Sequence, residues 1–291
     1  MRTPEPELRL PTAAAEGVRA TDPLEFRRRR LASFRGRMSL ALSMAAVLLL
    51  ITFAAIAMLA AALLTLFRTR RFYAEVMARH MCLAILRILR VRLVVHRDRP
   101  YPERQTIYVS NHTSALDLFI LLALGLPNTR YFMRGKFRLI VPLGIMNYLI
   151  GTFFTPSQRY PAKRVRCFRN AERVLRRTGE SVYLSPEGRR VPGGKIGHFN
   201  KGTFHLATNL QAPIFPLYLD VPPETNPGLG YAVLPGTVHV YMLPQISTEG
   251  WRLEDLRENK QRVRAMFVRF QDGLRGGPRR GPGPGNGRQV P

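Results

Sequence analysis

Negative charge is scarce in this chain. Its 291 residues carry 19 Asp and Glu against 45 Lys and Arg, a formal net charge of +26. Such an excess calls for an anionic partner: nucleic acid, an acidic membrane surface or anionic ligands. Nucleic acid has nothing beyond charge in its favour, because the chain lacks zinc spacing, a ribonucleoprotein motif and a basic-helix dimer pattern. Most of the excess is Arg, which fits codon bias as well as binding. Cysteine is nearly absent. Cys82 and Cys167 do not form a disulfide scaffold, and neither stands at metal-ligand spacing from another Cys or a suitable His. Both lie in apolar helical patterns and read as reduced core or membrane-facing residues. No Gly-x-Ser-x-Gly elbow occurs, which disfavours a serine lipase. His198, His205 and His239 have no metal spacing either, so no metal is expected.

Between Met38 and Phe67 there is no charge, no Gly and no Pro. That run exceeds the roughly twenty residues needed to cross a bilayer. Both the run and the segment before it are too long for a secretory signal. The lack of a Gly or Pro hinge argues against a tight hairpin inside it. Arginines flank both ends: Arg27-Arg28-Arg29-Arg30, Arg35 and Arg37 before it, Arg68, Arg70 and Arg71 after it. The positive-inside rule therefore does not orient it. Two arrangements stay open: a span, or a helix lying obliquely in one leaflet with both basic ends at headgroups. Residues 73–90 read as an amphipathic helix, with Met77, Met81, Ala84, Ile85, Ile88 and Leu89 as its apolar stripe. It either docks on the membrane with the first helix or packs on the core.

Beyond residue 90, strands alternate with helices. Strands are expected near 91–96, 106–110, 130–134, 152–155, 181–184, 214–219 and 237–242. Helices are expected near 114–124, 137–149, 161–177, 201–209 and 252–270. This alternation predicts an α/β domain, a mixed sheet flanked by helices, with catalytic loops leaving one edge of the sheet. Helix 161–177 carries Lys163, Arg164, Arg166, Arg169, Arg173, Arg176 and Arg177. These read as a solvated basic face, or as a surface gripping anionic headgroups beside the site. Residues 1–37 and the Gly/Pro/Arg tail 272–291 are expected to be disordered.

The most informative run is Ile107-Tyr108-Val109-Ser110-Asn111-His112-Thr113-Ser114-Ala115-Leu116-Asp117. A β-type run ends in a polar turn carrying a histidine, with a carboxylate five positions on. In one regular helix the two side chains would stand about 140° apart and could not share a site. If His112 lies in the turn and the helix starts near Thr113 or Ser114, Asp117 can fold back to the imidazole. It would then fix the tautomer and leave the other nitrogen as a base. A loop histidine among capping residues fits this run equally well. A second motif decides between them: Ser181-Val182-Tyr183-Leu184-Ser185-Pro186-Glu187-Gly188-Arg189-Arg190. Here a strand opens into a turn whose Gly allows close approach of a ligand. Its two Arg offer forked donors suited to phosphate. Gly197-His198-Phe199-Asn200-Lys201-Gly202-Thr203-Phe204-His205-Leu206-Ala207 follows, and then Ala212-Pro213-Ile214-Phe215-Pro216-Leu217.

Asn-His-x4-Asp, Pro-Glu-Gly-x-Arg, Phe-x-Lys-Gly-x-Phe-His-Leu-Ala and a Pro-containing strand, in this order, resemble the glycerolipid acyltransferases of the 1-acylglycerol-3-phosphate acyltransferase type. The likeness covers about residues 75 to 270. It implies a glycerolipid acyltransferase-like fold at 91–271, behind membrane-docking helices at 38–90. It implies transfer of a fatty acyl group from acyl-CoA or acyl carrier protein to the hydroxyl of a lysolipid, 1-acylglycerol-3-phosphate above all. His112 would be the general base and Asp117 its orienting partner. Glu187, Gly188, Arg189 and Arg190 would bind the acceptor, and Pro216 would serve an acyl pocket or the strand itself. His205, although family-like, is read as structural. Neither a cofactor nor a metal is implied, only the thioester co-substrate. The expected setting is the inner or cytoplasmic membrane, with an anionic membrane surface as partner, no nucleic acid, and the catalytic domain facing the cytosol. One stretch departs from the family's Gly-x-x-Phe-Ile-Asp-Arg. In Gly151-Thr152-Phe153-Phe154-Thr155-Pro156-Ser157-Gln158-Arg159, Pro156 and Ser157 replace the Asp and Arg. Gly151 still fits, and Arg159, Lys163 or Arg164 is the candidate replacement cation. Two rivals remain: an acyltransferase for another acceptor (lysophospholipid, amino-lipid or glycolipid), and a non-catalytic membrane or nucleic-acid binding protein.

Overall fold

A computed structural model describes residues 23–228, 230–276 and 287–289. The chain begins with α1 (Pro23–Ala32) and the long α2 (Phe34–Leu64). Part of the segment expected to be disordered is thus helical, because its arginine-rich run is a good helix former and Arg27 is anchored. Its guanidinium donates to the carbonyls of Glu224, Thr225 and Ala232 at 3.3, 2.9 and 2.6 Å. The rest of the expected tail, 1–22, lies outside the described residues.

At 1.5 Å per residue, α2 is about 46 Å long. Val47, Ile51, Ala55, Met58 and Ala62 recur every three or four residues and are buried, where α2 packs on the later helices α4 and α6. Its outer face stays apolar and exposed, with Leu49 71%, Phe53 70% and Leu64 86% accessible. The helix ends where Leu66 and Phe67 take positive φ. Next come α3 (Arg70–Phe72), one π turn over Tyr73–Ala78 and α4 (Arg79–Ile88). Cys82 is buried in α4.

The remaining elements alternate: β1 (Val91–His96), β2 (Ile107–Ser110), α5 (Asp117–Ala123), β3 (Thr129–Arg134), α6 (Val141–Leu149), β4 (Phe153–Thr155), α7 (Pro161–Thr178), β5 (Ser181–Leu184), α8 (Gly202–Leu210), β6 (Ile214–Asp220), β7 (Gly236–Met242), α9 (Leu256–Gly276) and β8 (Gly287–Gln289). The helix expected over 137–149 is split. Gly135–Leu139 forms a 3-10 turn, and α6 restarts with Pro142 in its first turn, where a missing amide costs nothing. The expected C-terminal tail is also partly ordered. α9 runs to Gly276, and Gly287–Gln289 pairs antiparallel with β1. The other tail residues lie outside the description.

The sheet order is β4-β3-β5-β2-β6-β7-β1-β8. The first five strands are parallel, β6 and β7 antiparallel, and β7 and β1 parallel. This is the mixed α/β sheet expected from the alternation. β2 lies between β5 and β6 and is buried along its whole length. Successive side chains point to opposite faces. Tyr108 joins the core under α2, α4, α5 and α6, while Ile107 and Val109 join the core under α7, α8 and α9. The α2 layer and the α7 layer therefore cover opposite faces.

At the amino edge of the parallel strands, Glu180 accepts from Arg70 and Arg130 and from Thr178 Oγ1 at 2.9 Å. Arg70 belongs to the connector after α2, so this ion cluster ties the N-terminal helices to the sheet. Burial is the first cause that holds the Arg70 guanidinium down at about 10, with repulsion from Arg130 and Arg71 adding to it. Glu180→Ala leaves two half-buried guanidiniums facing each other. It is expected to destabilise the fold by about 2–3 kcal/mol, a partial discount on a fully buried pair, measured by chemical unfolding in detergent. An unchanged midpoint would remove this latch from the fold's energetics.

Candidate active site

His112 lies in the turn after β2, and α5 begins only at Asp117. The delayed helix start is local chemistry. Ser114 Oγ accepts from the Leu116 amide at 3.0 Å, and Asp117 Oδ2 accepts from the Thr113 and Ser114 amides at 2.9 and 3.0 Å. The carboxylate is drawn back over the turn by these amides. The same Oδ2 accepts from His112 Nδ1 at 2.7 Å. Asp117 is 1% exposed while His112 keeps 31%. With the ring proton on Nδ1, Nε2 carries the lone pair, and it has no hydrogen-bond partner among the described residues. Asp117 Oδ1 is buried without a partner.

The turn is held from two further sides. Asn111, a capping residue only in the loop-histidine reading, pairs with the strand behind it. Its side chain donates to the Leu219 carbonyl at 2.9 Å and accepts from the Leu219 amide at 2.8 Å. The loop after β5 supplies the other brace. Glu187 Oε2 accepts from the His112 amide and Oε1 from the Gly197 amide, both at 2.6 Å. The Val191 amide donates to the His112 carbonyl at 2.8 Å. Both oxygens of Glu187 are thus occupied by backbone, and the residue is buried. Its geometry is that of a positioning residue for His112, a correction to its expected place among the acceptor ligands.

Gly188 takes φ +64°, and a Cβ there would stand 2.9 Å from Asn200 Nδ2. That Nδ2 donates to the Pro186 and Glu187 carbonyls at 3.1 and 2.8 Å, so Gly188 serves the turn. Arg189 is exposed and Arg190 half-buried. Arg190 Nη1 donates to the Gly230 carbonyl at 2.9 Å, and its guanidinium lies 5.3 Å from the Tyr231 ring centre. The loop that carries Gly230 also reaches the histidine turn, where a Cβ on Gly228 would meet the Thr113 carbonyl at 2.4 Å.

The other sequence candidates disperse. Gly151 takes φ +75° before β4, where a Cβ would crowd Arg130 and Arg70. That is the amino edge of the parallel strands, opposite the edge that carries His112, so Gly151 belongs to the Glu180 ion cluster and not to the site. Arg159 follows β4 on the site's edge. It is exposed and its guanidinium has no partner among the described residues. β4 is three strand positions from β2, or about 14 Å across. Pro216 lies inside β6 opposite Val109, a structural place in the sheet. Arg264, Gln271 and Arg275 of α9 were not singled out in the sequence. Arg264 donates to the Gly197 and Ile196 carbonyls at 2.7 and 3.0 Å. Gln271 and Arg275 both donate to the Gly194 carbonyl. They fix the loop that carries Glu187's second amide, from some seventy residues away, and no local pattern announces them.

Burial pushes the Glu187 carboxyl from its ordinary 4.5 up to about 7. The Gly197 and His112 amides and His112 itself pull it down, and Asp117 pushes it up. Since the folded value is the higher one, folding favours the protonated form. That contribution is full below about 4.5 and is lost as pH rises through about 7. Positioning has the opposite need, because only the ionised group accepts both amides. Turnover should therefore fall as pH drops through about 7, in addition to any limb from a histidine base. Glu187→Gln keeps one acceptor and turns an NH2 toward an amide. It should lower plateau turnover by about an order of magnitude and lose that component of the pH profile. An unchanged profile would assign the limb to another group.

The geometry agrees with comparisons to known proteins. Residues 92–220 match the Acyltransferase family model. The chain is 30% identical over 197 residues to mouse 1-acyl-sn-glycerol-3-phosphate acyltransferase alpha, covering 64% of this chain and 68% of that one. It is 27% identical over 169 residues to the 1-acyl-sn-glycerol-3-phosphate acyltransferase of Limnanthes alba, covering 58% of this chain and 60% of the relative. With the human beta enzyme the identity is 31% over 154 residues, covering 53% of this chain and 55% of the relative. The chain thus spans a little over half to two thirds of the length of these relatives. The fold is similar to that of the 1-acyl-sn-glycerophosphate acyltransferase PlsC of Thermotoga maritima, with a TM-score of 0.69 at 21% identity, covering 84% of this chain and 97% of that one. Motifs, fold and similarity converge, and the chain belongs to the acyltransferase family, alongside the 1-acyl-sn-glycerol-3-phosphate acyltransferases.

Proposed function

We propose that this chain transfers a fatty acyl group from an acyl thioester to the hydroxyl of 1-acylglycerol-3-phosphate. The observation that carries the reading is the His112–Asp117 pair, with Nδ1 held by a buried carboxylate and Nε2 unpartnered beside an arginine-bearing loop. Nε2 takes the proton of the acceptor hydroxyl as its oxygen attacks the thioester carbonyl. The tetrahedral intermediate expels the thiolate, which recovers that proton from Nε2. Asp117 holds the ring and stabilises its charged form. Transfer is direct, with no acyl-enzyme, and needs only the thioester, acyl-CoA or acyl carrier protein, as co-substrate. No metal takes part in these steps.

The membrane supplies the acceptor. The bare outer face of α2 and exposed Phe72, Val76, Leu139, Ile140, Val141 and Tyr148 form the lipid-facing surface in this reading. α2 is buried against the domain from Val47 to Ala62, and Ser33 to Ser43 border the same cleft as Ile88–Arg90 and 233–235. A helix bound to one domain along its length favours lying in one leaflet over crossing. The catalytic domain then faces the cytosol, where the donors are. Residues 38–90 form the docking unit and 91–271 the catalytic domain.

His112→Ala should lower turnover by about 10²–10⁴-fold with folding and membrane binding intact. Asp117→Asn should also lose activity, by mis-setting the tautomer. A purified His112→Ala protein that acylates lysolipid at the normal rate would sink the base assignment.

The acceptor is tested through its phosphate. Arg190 lies in the loop after β5, the strand next to β2, and Arg159 stands near the position of the missing family Arg. Losing a forked contact to phosphate costs about 1.5–3 kcal/mol, roughly 10–150-fold. Arg190→Ala should lose activity strongly and Arg159→Ala moderately, both more with 1-acylglycerol-3-phosphate than with a neutral lysolipid. Equal losses on both acceptors would assign these arginines to folding or to the donor. The exchange of Asp-Arg for Pro156-Ser157 favours one second reading, an acyltransferase for another acceptor. A wild-type protein inert toward 1-acylglycerol-3-phosphate but active on another lysolipid would establish it.

A further inference from the structure

Helix α7 presents an arginine stripe that the proposed reaction does not use. Arg166, Arg169, Arg173 and Arg177 recur at three and four residues, so they share one face over about 16 Å. All four are exposed, and none has a hydrogen-bond or ion-pair partner among the described residues. Arg169, Arg173, Arg176 and Arg177 line an open groove of about 480 Å³ whose one acidic wall residue, Glu172, is already engaged by Arg176 and Asn209. Four unpaired like charges on one helix face are mutually repulsive, and an anionic partner would relieve that.

Placement in the fold selects the partner. α7 packs with α8 and α9 on one face of the sheet, whereas the bare apolar faces of α2 and its neighbours lie on the other. A helix that grips lipid headgroups pairs its cations with exposed apolar anchors. Of the large apolar side chains on α7 only Val165 is exposed, with Tyr160 at the N-cap beside it, whereas Ala171 and Leu175 are buried and the carboxyl-terminal two thirds of the stripe has no exposed apolar neighbour on the helix. The stripe is also too long for a single phosphate. It matches carboxylates repeated at helical spacing, and its amino-terminal end starts just past β4, on the same sheet edge as His112.

We propose that the α7 arginine stripe docks an acidic helix of a protein that carries the acyl thioester, an acyl carrier protein. This rests on the acyl-transfer reading above and selects the protein-borne donor within it. The two substrates then approach from opposite faces of the sheet. The lipid acceptor comes from the α2 side, the carrier docks on the α7 side, and the thioester meets His112 at the shared carboxyl edge.

The test uses the full chain in lipid nanodiscs with palmitoyl-loaded acyl carrier protein and palmitoyl-CoA as alternative donors to one acceptor. Arg166→Gln, Arg169→Gln and Arg173→Gln together should raise KM for the carrier-borne donor roughly tenfold. They should leave its kcat, and both parameters for palmitoyl-CoA, unchanged. The triple Arg→Lys variant should keep most of the carrier affinity. Fluorescence anisotropy with labelled carrier should show the same loss, and wild-type binding should weaken as salt rises. An equal KM rise for both donors would overturn the docking role, since the stripe would then serve the CoA phosphates or the fold. So would unchanged carrier kinetics with lost sedimentation on phosphatidylglycerol vesicles, which would make it a headgroup surface. A wild type that turns over palmitoyl-CoA but neither binds nor uses the carrier refutes the docking and spares the acyl-transfer reading. Carrier binding without transfer from either donor upholds the docking and refutes acyl transfer instead.

Discussion

One carboxylate oxygen organises the site. Asp117 Oδ2 accepts from two backbone amides and one imidazole nitrogen at 2.7 to 3.0 Å. The amides set where α5 can start, since residues 113–116 are committed to the turn and cannot join the helix. The imidazole contact sets which ring nitrogen is left to act. The start of α5 and the orientation of the imidazole are thus tied to the same atom. That coupling explains why the pair is separated by five positions. A regular helix through both residues would part them, and the turn brings them together.

The second constraint is backbone against backbone. His112 is gripped at its amide by Glu187 and at its carbonyl by Val191, and Asn111 is locked to β6. The histidine turn is therefore strapped to the loop of β5 on one side and to the strand of β6 on the other. Burying Glu187 raises the energy of its ionised form, yet only that form takes both amides. The site thus gives up stability at neutral pH to hold one side chain in place, a pattern expected where positioning matters more than stability.

Much of this was legible in the sequence because the patterns are local. The β-type runs, the apolar stretch and the alternation of elements depend on nearest neighbours, and the strands fall within a residue or two of expectation. The His112–Asp117 pairing was one of two readings that the run allowed, and the second motif, not the run itself, decided for it. What escaped was non-local. Glu187 was expected to bind the acceptor because the family motif includes it. Only the folded loop brings two amides to its oxygens. Gly151 was expected at the site because the family motif includes it. Its place is fixed by chain direction, since a residue before a parallel strand belongs to the opposite edge from one after it. The grip of α9 on residues 194–197 has no signature, because Arg264 and Gln271 look like any polar residues on an amphipathic helix. The tails misled for the same reason: composition near Arg27 and Gly287 says nothing of the carbonyls and strand edge that each finds.

The order of the strands explains how the departure at Pro156-Ser157 is tolerated. β4 is the outer strand of the parallel set, three positions from β2, and its loop approaches the histidine only along the carboxyl edge. Residues on that loop can contribute charge to a ligand lying across the edge, but they do not shape the turn itself. Arg190 is differently placed. It follows β5, the neighbour of β2, and is one residue from the Val191 amide that holds His112. Loss of a cation after β4 therefore leaves the histidine turn intact, whereas change around Arg190 would reach it through Val191. The sheet thus separates two kinds of variation. Near β2 and β5 the hydrogen bonds that hold the histidine turn constrain the residues around it, while the loop after β4 can change without disturbing that turn.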